Sequence, residues 1–192
     1  MTAQNNLSWK KVFSNLGLKE LYCLEFKKNS DKKKLSSCWD KNKDPTKKFL
    51  AVCFEENLRK NLHASISLSY IPKKGFCVVL EATIGKHAYI GEYLGIVKKG
   101  SIFTFFSPYT VSYPTPFTSF RGYVIDAEKK GNFTRFINHS NKANTELKSV
   151  LCKDGLIRMI FLSKRSIRKG EELTLNYGTF LPKILWSWKH LF

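Results

Sequence analysis

GNFTRFINHSNKAN, residues 131 to 144, is the stretch that decides the fold. It places Asn138 and His139 side by side after an apolar pair, and it ends in polar residues that fit no amphipathic helix. Two interpretations of the pair are open at this point. The two side chains hold a ligand, or they cap the preceding segment and bond to backbone.

Composition indicates one folded domain with a strongly basic surface. The chain has 192 residues, of which 43% are hydrophobic and 14% aromatic, enough for one sizeable core. Its 33 Lys and Arg against 15 Asp and Glu give a net charge of +18. Such a charge favours polyanions such as nucleic acid, chromatin or an acidic membrane surface. Solubility together with genome bias also explains such a charge, so the charge alone decides no function.

Cysteine usage indicates a reducing compartment. The chain has five cysteines, an odd number, and no CxxC pair, which argues against a zinc ribbon and against a secreted disulfide framework. No apolar run approaches membrane-spanning length, and the N-terminus lacks the apolar core of a secretory signal. Any export would therefore need a route that does not use such a signal.

Residues 1–63 are predicted to form a helical, Lys-rich N-terminal extension. The apolar spacing of residues 9 to 16 is helical, with Ser8 as the N-cap, and a second helix is predicted for about residues 46 to 62. Between them, residues 27 to 48 are rich in Lys, Asn, Ser and Asp, which predicts a solvated loop.

From residue 64 the pattern changes to that of short strands. Ile66, Leu68 and Tyr70 alternate with serines, which predicts a half-buried strand that residues 72–75 interrupt. The runs FCVVLEATI, AYIGEYLGIV and YVIDA are further strand candidates, and Asp154-Gly155 predicts a hairpin between LKSVLC and LIRMIFL. The fold class is therefore mostly β with peripheral helices.

Several common catalytic arrangements are missing or poorly supported. The sequence contains no GxSxG, no HExxH and no glycine-rich phosphate loop. Glu171 and Glu172 are neighbours that would point to opposite faces of a strand. Cys152 with His139 is a conceivable nucleophile pair, but Cys152 lies in an apparent core strand, where thiols are mostly inert. Hydrolytic chemistry is thus poorly supported.

Three segments together resemble one family. KKGFCVVLEATIGKHAYIGEYLG, GYVIDAEKKGNFTRFINHSNKAN and IRKGEELTLNYG are similar to the three signature segments of SET-domain protein lysine methyltransferases, in the family's order. The resemblance covers about residues 64 to 180 and is closest to the small SET proteins of chlamydia-like intracellular bacteria. It implies a SET domain at 64–180, with short-stranded sheets around a knot-like C-terminal crossing. Residues 181–192 would be an aromatic tail.

The resemblance implies a cofactor site for S-adenosylmethionine. In the family the Asn-His pair contacts this cofactor, and a glycine-containing strand start lets backbone approach it closely. Here Cys77 replaces the second glycine of the usual G-x-G. The cofactor residues implied are Lys74, Gly75, Phe76, Tyr109, Arg135, Phe136, Asn138, His139 and Trp188. Trp188, with Phe180 and Trp186, is interpreted as a lid over the pocket or as part of a helix docked on the core.

The resemblance also implies the catalytic and channel residues. Tyr177 matches the family's catalytic tyrosine, whose hydroxyl would orient the substrate amine, and Tyr93 would line the lysine channel. Without the surrounding motifs, core packing would be the better interpretation of both tyrosines. Leu175 stands where some relatives use Phe or Tyr to control how many methyl groups are added, which hints at multiple methylation. Asn141 replaces a zinc-ligating cysteine of many relatives, so no metal is predicted.

The function that the resemblance implies is methylation of lysine on histones or bacterial histone-like proteins. The expected partners are a Lys-rich protein substrate and nucleic acid on the basic surface, with no membrane; a homodimer is left open. The expected location is the bacterial cytoplasm, at the nucleoid, or a host nucleus after export. Two other classes remain: a catalytically inactive SET-fold module that binds chromatin or nucleic acid, and a membrane-surface protein.

Overall fold

The computed structural model describes residues 7–38, 45–72, 74–101, 104, 107–115 and 122–178. The aromatic tail with Phe180, Trp186 and Trp188 therefore lies outside the described residues, and its role as a lid stays a prediction. Within the described ranges, no helix is both long and apolar enough to cross a membrane.

The α-helices of the described ranges lie in the first sixty residues. They are α1 Trp9–Asn15, α2 Asn29–Cys38, α3 Pro45–Cys53 and α4 Glu55–Arg59. The helix predicted at residues 9 to 16 is confirmed; Ser8 takes the N-cap position, although its side chain makes no capping hydrogen bond. The helix predicted at 46 to 62 is broken at Phe54 and ends at Arg59, before Asn61 adopts a left-handed φ of 48°.

Thirteen short strands make up most of the remaining secondary structure in the described part. They are β1 Lys19–Glu20, β2 Glu25–Phe26, β3 Ile66–Ile71, β4 Gly75–Leu80, β5 Tyr89–Glu92, β6 Ile96–Lys99, β7 Thr110–Tyr113, β8 Tyr123–Asp126, β9 Lys130–Gly131, β10 Asn138–His139, β11 Thr145–Leu151, β12 Ile157–Ser163 and β13 Thr174–Leu175. A 3₁₀ helix, Phe133–Phe136, precedes β10.

The strands form several small sheets. The largest has the order β2-β6-β8-β7, a second has the order β11-β12-β5, and β3-β4 is a separate hairpin. Two further pairs, β1 with β9 and β10 with β13, are parallel. The mostly-β prediction is confirmed.

The C-terminal segment lies between two other parts of the chain. On one side, Gly170 N donates to Leu80 O at 2.8 Å and Leu173 N donates to Val78 O at 2.8 Å, so the segment follows β4. On the other side, β13 pairs in parallel with β10, with Asn138 opposite Thr174. We call residues 170–177 the crossing segment, because they join the start of the β domain to the Asn-His stretch.

The core has two parts. The larger cluster contains α1, the hairpin β3-β4 and the inner face of β12, with Phe133 and Phe161 among its fully buried side chains. The smaller cluster joins α3 and α4 to the other face of the sheet β11-β12-β5, through residues such as Leu58, Val150 and Ile160. β12 therefore contributes to both clusters, one on each of its faces.

The loop predicted for residues 27 to 48 is wrong for residues 29–38, which form α2. Leu35 is fully buried, and Asp31, one helical turn earlier, accepts a hydrogen bond from the Tyr123 hydroxyl at 2.9 Å. Two inward anchors at i and i+4 therefore fix the helix. The lysines between them dominated the sequence pattern and obscured this face.

The half-buried alternation predicted for β3 is also wrong. Ser67 and Ser69 are buried on the second face of the strand, and Tyr70 is exposed. Serine is small enough to be buried where the sheet is covered on both faces, so alternating serines did not mark a solvent face. The hairpin predicted at Asp154-Gly155 is confirmed, because β11 and β12 pair antiparallel around it and Gly155 has a φ of +74°.

The N-terminal segment contributes strands to sheets formed by later residues. β1 pairs with β9, and β2 pairs with β6, both in parallel. The division of the chain at residue 63 stays a prediction, as do the limits 64–180 and 181–192. Physically, residues 19–26 lie in the same sheets as the β domain.

Candidate active site

The side chain of Asn138 connects the start of β4 with the crossing segment. It is buried on β10, and its Nδ2 donates to Phe76 O at 3.0 Å and to Glu172 Oε1 at 3.1 Å. The other oxygen of Glu172 accepts from Lys74 Nζ at 2.5 Å. Lys74 and Phe76, which lie on either side of Gly75, are therefore held to Asn138 through one carboxylate and one main-chain carbonyl.

His139 holds the backbone of Tyr177. Tyr177 N donates to His139 Nδ1 at 3.1 Å, so that nitrogen is an acceptor and carries no proton. The other ring nitrogen, Nε2, then carries the proton and donates to Asn141 Oδ1 at 3.1 Å. The main-chain N–H of Tyr177 thus fixes the tautomer of His139, and Asn141 accepts the remaining ring proton.

The two tyrosines of the predicted channel line one cavity of about 450 Å³. The Tyr177 hydroxyl donates to Ile137 O, and the Tyr93 hydroxyl donates to Tyr109 O at 2.8 Å. Burial raises the pKa of both phenols above the ordinary value. Both hydroxyls are therefore neutral near pH 7, with their protons directed at main-chain carbonyls.

Apolar and charged groups complete the cavity wall. Leu175 and Phe161 contribute apolar surface, and Glu146 and Lys164 also lie in the lining. Arg135 lines the cavity as well. The cavity is therefore an aromatic and aliphatic recess with charged groups of both signs in its wall.

Arg135 is a cation held by backbone. Its Nε donates to Ala127 O at 2.9 Å and its Nη2 donates to Glu128 O at 3.0 Å. The guanidinium lies 4.0 Å from the centre of the Tyr109 ring. Burial lowers the pKa of Arg135 somewhat, but the group stays protonated at neutral pH.

The structure brings the predicted site residues together in two neighbouring groups. Tyr93, Arg135, Leu175 and Tyr177 line the cavity. Lys74, Gly75, Phe76 and Asn138 form the cluster around Glu172, and the ring of His139 lies 5.4 Å from that of Tyr177. The ring of Tyr109 contacts the Arg135 guanidinium, and Phe136 is a core residue that packs on Phe13 and Phe76. Their roles stay predictions, and Trp188 lies outside the described residues.

Sequence reasoning missed two residues that hold the site together. Glu172 was considered only as half of a carboxylate pair, but it bridges Asn138 and Lys74. Asn144 fixes the crossing segment, because its Nδ2 donates to Glu172 O at 2.8 Å and its Oδ1 accepts from Thr174 N at 2.9 Å. The spacing of Asn144 from the Asn-His pair was the signal that could have identified it.

Two cysteines singled out in the sequence are packed in or against the protein core: Cys152, the alternative nucleophile, and Cys77, which replaces the second glycine of the usual G-x-G. Burial raises the pKa of the Cys152 thiol to about 11, and both ring nitrogens of His139 have other partners. Cys77 is buried, its Sγ donates to Ser69 O at 3.3 Å, and burial raises its pKa. Neither cysteine has the exposed, electropositive surroundings of a reactive thiolate.

A buried carboxylate lies directly beside Tyr93 in the chain. Glu92 is 2% exposed, and its Oε2 lies 3.4 Å from Arg158 Nη1. Its Oε1 has no hydrogen-bond partner among the described residues. Burial raises the pKa of Glu92 to about 7, and this effect outweighs the opposing attraction of Arg158.

Comparison with known proteins is consistent with this arrangement. The "Histone-lysine N-methyltransferase, H3 lysine-36 specific" of Aspergillus fumigatus is 30% identical over 132 residues, which are 67% of this chain and 14% of that protein. The "Histone-lysine N-methyltransferase set-2" of Caenorhabditis elegans is 51% identical over 55 residues, which are 29% of this chain and 4% of that protein. The chain thus spans 14% or less of the length of these relatives.

A solved structure shows the same fold. KRYPTONITE in complex with mCHH DNA, an H3(1-15) peptide and SAH is similar with a TM-score of 0.54 and 29% sequence identity. The similarity covers 64% of this chain and 25% of that chain. The SET domain family matches residues 17–178, which is most of the sequence. The chain therefore belongs to the SET domain family, and the SET fold predicted for it is confirmed.

Proposed function

We propose that the chain is an S-adenosylmethionine-dependent protein-lysine N-methyltransferase. The observation that carries the proposal is the cavity in which Tyr93 and Tyr177 present neutral hydroxyl groups beside the Asn138-His139 strand. Support comes from relatives named histone-lysine N-methyltransferase and from the SAH in the structure of KRYPTONITE.

The residues around Gly75 fit a ligand of this kind. Gly75 has a φ of +85°, and a Cβ placed on it would meet nothing within 4 Å, so the main chain at the start of β4 is open to close approach. Asn138 and Lys74 lie beside this opening and are held in place by Glu172. Lys74, Gly75, Phe76, Asn138 and His139 would hold the cofactor.

When bound, S-adenosylmethionine supplies a methyl group on a positively charged sulfur. The lysine amine must be neutral to accept it, so its proton must leave before transfer. Neither Tyr93 nor Tyr177 is suited to take that proton as a phenolate, because burial raises both pKa values. We therefore propose that the amine enters the cavity after losing its proton to solvent.

The cavity favours the neutral amine on electrostatic grounds. Arg135 and Lys164 place two positive charges in its wall against the one negative charge of Glu146, so the net charge of the wall repels an ammonium. The apolar surface of Leu175 and Phe161 also disfavours a desolvated charge. Because the protons of the Tyr93 and Tyr177 hydroxyls go to main-chain carbonyls, each oxygen offers lone pairs toward the cavity. Those lone pairs would accept the amine N–H groups and leave the nitrogen lone pair free for attack.

We propose histones or bacterial histone-like proteins as the substrates. Both are rich in lysine, and the named relatives act on histones. The absence of a hydroxyl on Leu175 supports addition of more than one methyl group, because less water would be held beside the amine.

The resemblance to small SET proteins of chlamydia-like bacteria supports two proposed locations, the nucleoid of a bacterial cell and the nucleus of a host cell. On the second proposal the protein would be a bacterial effector. We also propose a homodimer, because Leu16 and Tyr22 of the N-terminal segment are exposed hydrophobic side chains. Cell fractionation and sedimentation velocity test these points separately from the activity.

The experiment is transfer of labelled methyl from S-adenosylmethionine to a panel of histones and bacterial histone-like proteins. Wild type is compared with Tyr177→Phe, which should lose about 100-fold or more of the rate because the amine is no longer oriented. Tyr89→Phe is the matched control, since Tyr89 is a half-buried tyrosine of the smaller core cluster and should keep wild-type activity.

The same experiment separates the alternative function. Label on lysine that is lost in Tyr177→Phe supports the enzyme. If no protein is labelled and calorimetry finds no binding of S-adenosylmethionine, the methyltransferase proposal fails. The chain would then be better described as an inactive SET-fold module that binds chromatin or nucleic acid.

A further inference from the structure

Four exposed lysines lie on α2 or on the elements beside it, and we call them the lysine face: Lys28, Lys32, Lys33 and Lys99. Lys28 immediately precedes α2, and Lys32 and Lys33 lie on it. Lys99 is on β6 opposite Tyr123 of β8, and Tyr123 donates to Asp31 of α2. Because residues opposite each other in a sheet share a face, Lys99 points to the side that α2 covers.

The charges of the lysine face are not neutralised by nearby carboxylates. Across the described ranges, other lysines such as Lys10, Lys98 and Lys153 form ion pairs, whereas none of the four does so. The only acidic residue of α2 is Asp31, and it is buried with its carboxylate accepting from Tyr123. The helix therefore directs its one negative charge inward and its positive charges outward.

This arrangement is unfavourable for the isolated helix. Lys28 and Lys32 are like charges at i and i+4, which repel each other. Lys28 also lies at the N-terminus of α2, where the helix dipole disfavours a cation. A ligand of opposite charge would relieve both unfavourable interactions.

We propose that the lysine face binds the phosphate backbone of nucleic acid. The other outward side chains of α2 include Ser30, Ser37 and Asn29, which are exposed and able to hydrogen-bond phosphate oxygens. Within residues 27–38 no large hydrophobic side chain is exposed, which is unlike a surface that inserts into a membrane. A ten-residue helix is roughly 15 Å long, enough to follow several phosphates of a duplex.

The lysine face is separate from the candidate active site. None of its four residues lines the tyrosine cavity or touches Asn138. Binding there would hold the chain on the nucleic acid that also carries a histone or histone-like protein. The inference goes beyond the proposed methyl transfer, and its test requires neither cofactor nor protein substrate.

The test measures binding of a fluorescent 20-base-pair DNA duplex by anisotropy over a series of salt concentrations. The test variant carries Lys28, Lys32, Lys33 and Lys99 all changed to Gln. The control variant carries four other exposed lysines changed to Gln, at positions 11, 48, 86 and 169. Both variants lose the same net charge, so any difference in their DNA binding results from where the substituted lysines lie on the surface.

The expected result follows from counterion release. Each lost phosphate contact lowers the slope of log K against log salt by about 0.9, so the test variant should lose a slope of about 3 to 4 and the control variant much less. Equal losses in the two variants would overturn the proposal, as would wild-type binding to the duplex with no salt dependence. Circular dichroism must show an unchanged fold, and single substitutions replace the quadruple variant if it does not.

Anionic vesicles distinguish a membrane ligand from nucleic acid. Vesicles of phosphatidylserine and phosphatidylcholine are used at the same salt concentrations as the duplex. Loss of vesicle binding with unchanged duplex binding in the test variant would refute the nucleic-acid assignment. Loss of duplex binding in the test variant, with vesicle binding unchanged, supports it.

Discussion

Changing Glu92 to Gln should remove a pH-dependent loss of stability. The unfolded chain has an ordinary Glu pKa of 4.5, whereas burial raises the pKa of Glu92 in the folded protein to about 7. Between these values the folded state binds the proton more tightly than the unfolded state, so the free energy of unfolding falls as pH rises. A difference of about 2.5 pKa units corresponds to roughly 3 kcal/mol.

The sign of the effect distinguishes Glu92 from ordinary surface carboxylates. Its protonated form supports the fold fully below pH 4.5, and that support is lost as pH rises through about 7. Gln keeps the shape and hydrogen-bonding capacity of the neutral acid but cannot ionise. The difference in stability between wild type and Glu92→Gln should therefore change with pH, by up to about 3 kcal/mol between pH 4.5 and 8.

Urea unfolding monitored by tryptophan fluorescence at pH 5, 6, 7 and 8 measures this difference. Glu171→Gln is the control, because the Arg165 guanidinium lowers the pKa of Glu171, so its contribution to stability changes only below about pH 4.5 and stays nearly constant over this range. A wild-type minus Glu92→Gln difference that stays constant over this pH range would refute the reasoning. That outcome would mean that Arg158 neutralises the buried carboxylate completely.

Three further predictions concern the crossing segment, a close backbone approach and the cavity. Asn144→Ala should destabilise the fold by about 2–4 kcal/mol, because two main-chain partners in the crossing segment lose their hydrogen bonds; thermal unfolding measures this. Gly95→Ala should cost about 1–3 kcal/mol in urea unfolding, since a Cβ there would lie 2.6 Å from Asp126 O. Leu175→Tyr should shift products toward monomethyl-lysine in mass spectrometry, because the larger side chain fills the cavity beside Tyr177; an unchanged product ratio would contradict this.

The sequence was most informative where short motifs fix local geometry. Asp154-Gly155 predicted the β11-β12 hairpin, and apolar spacing predicted α1. From the family resemblance, Tyr93 and Tyr177 were both expected at the substrate channel. They line one cavity, although they are far apart in the chain. These features depend on turn chemistry, on helical periodicity, or on motifs whose order in the chain is fixed.

The sequence was least informative where tertiary contacts override local composition. α2 is held by Asp31 and Leu35, two contacts with distant residues that a run of lysines conceals. Ser67 and Ser69 are polar in composition but buried in the structure. Glu172 bridges Lys74 and Asn138 because three segments that are distant in sequence are in contact. Local periodicity does not predict such long-range contacts.

The crossing segment makes completion of folding and assembly of the site one event. The residue pairs of β10 and β13 are 36 positions apart in the chain, and Leu175 and Tyr177 come from the later partner. Until residues 170–177 settle between β4 and β10, the cavity lacks one wall and His139 lacks its contact with Tyr177. Contacts this distant in sequence form slowly, so a newly synthesised chain should remain without ligand-binding capacity until residues 170–177 are in place.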